Sequence, residues 1–304
     1  MIDGWCRFWF APSAPAALGA CRIVFFLGTA LLMGRVDFGA FCDVSRTFWT
    51  RGGVFRLPGL DLPSARGVRL LQRAWTLSLV LAGLGVLTPV AMGAAFVLGY
   101  YLNAIRTRFY VATKLQQIQQ FPVAPMVLVL GGFALSHAGA ALSIDALLRG
   151  TSPPPPSGEF TWPIRFGQIA LCFMFCAAGI TKLLVSGWRW AWSDNLARML
   201  TQREGGAIEG LVDGYLPILR GVAAPLSRWR RLCRLSAVGV LVVELAYPLS
   251  LWHPVARALL VPAGIGLILG FIFVMGVRRM GIGLVLQVFW VPWDRVLPWL
   301  GRRG

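Results

Sequence analysis

Lys182 is one of only two lysines among 29 basic residues, and it stands inside an otherwise uncharged apolar run from Phe166 to Val185. An ammonium at the centre of a membrane helix costs on the order of 2.5–3.5 kcal/mol, so such a lysine snorkels, pairs with a carboxylate or serves chemistry. Its place near the end of the run lets the four-carbon stem reach the interface. Glu244, in the middle of the run Leu235 to Trp252, is the natural partner, because an unpaired carboxylate there would be costly. The chemical alternative is an amine left uncharged by apolar surroundings, which is a strong general base.

Further polar residues interrupt or border apolar runs. Arg22 carries a guanidinium that is always charged, so it must meet a carboxylate, a cluster of carbonyls or an anionic ligand. His137 lies late in the fourth apolar run, and a lone histidine there either packs or contacts a ligand. Beyond it, Ser143 can cap a short helix with Asp145 near its N-terminus, a purely structural use. His253, followed by Pro254, reads as an ordinary loop residue.

The six cysteines form no CxxC pair, so neither a disulfide framework nor a zinc site is expected and no metal ligands are assigned. Cys172 and Cys176 read as small packing residues on one helix. The sequence contains no GxxxxGK[ST], HExxH, GxSxG or strand-preceded GxGxxG pattern, which leaves nucleotide, zinc-protease and serine-hydrolase functions without support.

The elements that must position these residues follow from composition. A chain of 304 residues that is 57% hydrophobic, 13% charged and has a mean hydropathy of +0.68 is an integral membrane protein. Runs near 15–34, 70–87, 89–105, 122–142, 164–186, 234–252, 256–277 and 281–300 have the length that spans roughly 30 Å of hydrocarbon. The last holds Pro292, Trp293, Asp294 and Pro298, so it is expected to stop partway or to lie at the interface. The expected fold is an all-α polytopic bundle of seven or eight transmembrane helices with interfacial helices. It is read as a single membrane domain over 1–304, with a core of about 15–300.

Trp5, Phe8, Trp9 and Phe10 make the N-terminus an interfacial amphipathic lead into the first span rather than a signal peptide. The loop from Arg35 to Arg69, with Asp37, Asp43, Arg46, Arg51, Gly52 and Gly53, is expected to be irregular or re-entrant. Four consecutive prolines between Thr151 and Gly158 stiffen a connector. Trp188, Arg189, Trp190 and Trp192 predict a short interfacial helix over 189–202. No internal repeat is found.

The net charge of +17 resides in loops between spans, with no basic stretch interleaved with stacking aromatics, so nucleic acid is not an expected partner. The lipid bilayer and its head groups are. With eight spans, the odd-numbered loops carry about 20 basic residues against about seven elsewhere, which places both termini outside. The preference for arginine over lysine fits a GC-rich bacterial genome, and the expected location is the bacterial inner membrane.

At Ala177-Ala178-Gly179-Ile180-Thr181-Lys182-Leu183 and Gly187-Trp188 the chain resembles the vitamin K-dependent gamma-glutamyl carboxylases and their bacterial relatives, the horizontally transferred transmembrane (HTTM) family. Ala20-Cys21-Arg22-Ile23, the stretch Ala141 to Leu148, and Glu244-Leu245-Ala246-Tyr247-Pro248 extend the likeness over about residues 15–295. The resemblance implies that Lys182 falls on the lysine held to deprotonate a reduced, vitamin K-like quinone so that it reacts with oxygen. It also implies that Arg22, His137, Asp145 and Glu244 shape the substrate pocket. The chain departs from the family at Gln119 and Gln120, where the carboxylase has a functional histidine, and at Gly270 to Phe273, where bacterial members often have one. The carboxylase's large extramembrane domain has no counterpart, so peptide carboxylation is not implied.

Three functions are therefore open. One is a quinone-using membrane enzyme with Lys182 as base. The second is a non-catalytic partner of a secreted or membrane protein in maturation, assembly or immunity, with Lys182 and Glu244 paired. The third is a transporter, for which only the interruptions near Pro89, Pro248 and Pro262 speak.

Overall fold

A computed structural model describes residues 2–43, 49, 53–56, 61–109, 123–150, 152–201, 225–274 and 280–301. Among them every regular element is helical, and strand pairing is limited to one isolated bridge between Ser13 and Ser157. Five helices are long and apolar enough to cross a membrane, the architecture of a helical membrane protein. Arg46, Arg51, Gly52, Gln119, Gln120 and Thr151 lie outside the described residues.

The chain forms two compact units. The first comprises residues up to 109, 123–170 and from 285 onward. It opens with α1 (Ile2–Phe10) and α2 (Pro15–Met33). Proline at the first position of α2 spares an amide that no helix satisfies, and Arg22 is the one charged residue in the run to Met33. Next come α3 (Ala65–Leu84), α4 (Thr88–Phe109), α5 (Val123–Ala134) and α6 (Ile144–Arg149). Ser64 caps α3 by accepting from the Gly67 amide at 3.2 Å. Trp75 of α3, fully buried, donates its indole N–H to the Ala95 carbonyl of α4 at 2.9 Å. Phe25, Phe26, Phe133 and Phe289 fill the centre, with Phe25 and Phe133 stacked at 5.5 Å between ring centroids.

The helix α7 (Thr161–Ser186) belongs to the first unit up to Ala170 and to the second from Leu171. The second unit adds α8 (Arg189–Trp192), α9 (Asn195–Thr201), α10 (Arg230–Ala246) and α11 (Pro254–Phe273). Phe175 and Tyr247 stack at 4.1 Å, and Arg257 donates to the carbonyls of Ser250 and Leu251, closing the 3-10 turn Tyr247–Leu251 that ends α10. The chain closes with α12 (Gly281–Leu286), a 3-10 turn and α13 (Trp293–Gly301).

Several expected elements differ in detail. The run at 70–87 is helical, but Arg66, Arg69 and Arg73 in the first half of α3 keep it outside the five. The run at 122–142 is helical only to Ala134, after which Ser136 turns its hydroxyl onto the Phe133 carbonyl at 2.9 Å. The run at 281–300 stops partway, as expected, breaking at Val291 and Pro292. The interfacial helix at 189–202 is two pieces, because Ser193 is extended and the Asp194 carboxylate turns to Arg230 and Arg234 at 3.1 and 3.3 Å.

Candidate functional site: an interhelical ion pair

Lys182 lies one turn before the end of α7 and Glu244 near the end of α10, and the two helices approach closely at Gly179. A Cβ at that glycine would stand 3.0 Å from Leu245 and 3.1 Å from Glu244 Cβ, so only a hydrogen fits there without displacement. This approach delivers Lys182 Nζ to both carboxylate oxygens of Glu244, at 2.6 and 2.7 Å. The Glu244 side chain is 3% exposed and that of Lys182 is 20% exposed. Nζ also lies 5.2 Å from the ring centre of Trp190.

Trp190 packs with Ala191, Ala237 and Leu241 into an apolar cluster, with its ring beside Lys182. Desolvation of two separated charges would be expensive, but here the carboxylate takes two short charge-assisted bonds and the ammonium gains an aromatic face. The ammonium therefore has a fixed counter-charge.

Arg22, His137 and Asp145 belong to the first unit. Arg22 is fully buried and donates Nη1 to the Ala138 carbonyl at 2.7 Å and Nη2 to the Leu142 carbonyl at 2.6 Å. Its Nε has no partner among the described residues. Of the three partners open to this guanidinium, the structure supplies a carbonyl pair from the turn after α5.

Asp145 closes the neighbouring turn by accepting from the Leu87 amide at 2.9 Å and from the Thr88 amide and hydroxyl at 2.7 Å. Burial raises the Asp145 carboxyl, but the Thr88 and Leu87 hydrogen bonds and the charge of Arg149 outweigh it and hold the group below the ordinary aspartate value. Ser143 caps α6 through the Ala146 amide at 3.0 Å. Gly85, at φ +75°, ends α3 where a side chain would overlap Ser143. Arg22 and Asp145 thus fasten one set of turns.

His137 is on the surface, its ring nitrogen 3.4 Å from the Glu159 carboxylate, with side chains 74% and 67% exposed. Cys172 is buried against Tyr247 and Ser250, as a packing residue is. Among the described residues no group of His, Cys, Asp and Glu is arranged to hold a metal.

Sequence reasoning missed Trp190 as the ring beside Lys182 and Thr88 as the partner of Asp145. A tryptophan eight residues after Lys182, beyond a Gly187 turn, was read only as an interfacial anchor. Thr88 carried a signal as a hydroxyl before Pro89 at the start of a span. Comparison of the chain with protein-family models, curated proteins and solved structures finds no match.

Proposed function

We propose that this chain is a non-catalytic polytopic membrane protein of the HTTM kind, a partner in the maturation, assembly or immunity of another secreted or membrane protein. The observation that carries the reading is the bidentate contact of Lys182 with Glu244, which gives the ammonium a permanent counter-ion and withholds the free amine that base catalysis requires. In this reading the bundle crosses the bacterial inner membrane eight times: the five long apolar helices, α3, α5 and the α12 segment. Its immediate partner is the lipid bilayer.

A second reading, quinone binding or oxidation with Lys182 as base, draws support from the exposed fraction of the Lys182 side chain and from the Trp190 ring beside it. Oxygen uptake by the purified protein with a reduced naphthoquinone separates the two. The proposal expects uptake no faster than in Lys182→Met; uptake lost in that variant would establish the enzyme instead.

A further inference from the structure

The turn that follows α2 and residues 69–80 of α3 line an open cleft of about 620 Å³. Along α3 it is lined in turn by Arg69, Gln72 and Arg73, then by Thr76, Leu77 and Val80, with Arg35 and Asp37 on the turn after α2. Arg69, Arg73 and Leu77 succeed one another at four-residue spacing along one face of α3, as do Gln72, Thr76 and Val80. The lining therefore grades from cationic through uncharged polar to apolar.

The three arginines are not equivalent. Arg69 reaches Asp37 and Asp43, each at 3.3 Å, and so fixes the wall. Gln72 accepts from the Phe38 amide at 3.1 Å and donates to the Val36 carbonyl, which pins the turn that carries Arg35. Among the described residues Arg35 and Arg73 have no ion-pair partner, and both are exposed. Even with Asp43 counted beside Asp37, the two carboxylates leave the cleft net positive.

We propose that this cleft seats an anionic phospholipid, its phosphate against Arg35 and Arg73 and one acyl chain along Thr76, Leu77 and Val80. Arg35 lies two residues beyond Met33, the end of a membrane-length helix, which is the depth at which hydrocarbon gives way to head groups. Paired cations beside an apolar wall match a molecule with an anionic head and a hydrocarbon tail. A soluble anion would leave Leu77, which is 58% exposed, without an occupant.

The test measures thermal unfolding of the detergent-purified full chain with dioleoyl phosphatidylglycerol, dioleoyl phosphatidylcholine, glycerol phosphate or inorganic phosphate. The wild type is expected to be stabilised by phosphatidylglycerol alone. The variant Arg35→Gln/Arg73→Gln is expected to melt like wild type without lipid and to need roughly 10- to 30-fold more phosphatidylglycerol for the same shift. Arg295→Gln, outside the cleft, is expected to respond as wild type. Equal stabilisation of the double variant and wild type, equal loss in Arg295→Gln, or equal stabilisation by inorganic phosphate would each overturn the proposal. If the double variant is unstable without lipid, Leu77→Asp decides: it must lose the response to phosphatidylglycerol, and keeping it overturns the proposal.

Discussion

Lys182 Nζ bonds both carboxylate oxygens of Glu244 across two helices that touch at Gly179. The sequence separation of 62 residues means that this contact exists only when α7 and α10 are packed. Every consequence of the pair is therefore a consequence of that packing.

Gly179→Val tests the close approach directly. Its new side chain must displace Leu245 and the Glu244 Cβ, so the expected loss of stability is about 1–3 kcal/mol, the range for overpacking a tight contact. The same variant should increase the labelling of Lys182 by an amine-reactive probe, read by peptide mass spectrometry. Wild-type labelling and stability would show that the helices have room to spare.

Arg22→Met should loosen a different part of the molecule. It leaves the Ala138 and Leu142 carbonyls without their donors, and at about 1–3 kcal/mol for each unpaired group the expected loss is about 2–6 kcal/mol. Hydrogen exchange should rise in the turns 135–143 and 85–88 before it rises elsewhere. An unchanged exchange pattern would contradict the role assigned to Arg22.

Much of this arrangement was legible in the sequence, for physical reasons that differ from residue to residue. Two opposite charges alone in apolar runs have few ways to be satisfied, so Lys182 and Glu244 could be matched without coordinates. Ser143 and Asp145 announced a helix start, because their short polar side chains suit an N-cap and a first turn. The carbonyl partners of Arg22 and the amide partners of Asp145 were illegible for a common reason: every residue supplies these groups alike, and only the Thr88 hydroxyl carried a signal. His137 was misleading because its setting late in an apolar run ignored the early end of α5 at Ala134, which leaves it on the surface beside Glu159.

The depressed Asp145 carboxyl predicts a pH dependence with a definite sign. A group whose folded pKa lies below its unfolded value contributes stability above the unfolded pKa, about 3.9 for aspartate, and loses that contribution as pH falls through the lower folded value. The melting temperature of wild type should therefore fall more steeply below about pH 4 than that of Asp145→Asn, which has no charge to lose. Parallel curves for the two proteins would remove Asp145 from the account.

The central claim, that Lys182 is held as half of an ion pair and is not a free base, is tested most directly by a double-mutant cycle. Unfolding of wild type, Lys182→Met, Glu244→Gln and the double variant is measured in detergent, with and without a reduced naphthoquinone. Each single variant should lose about 3 kcal/mol or more by stranding a buried charge, and the double variant should lose much less than their sum. The quinone should shift none of them. Additive losses, with quinone stabilisation of wild type that disappears in Lys182→Met, would contradict the account and make Lys182 the base of an enzyme.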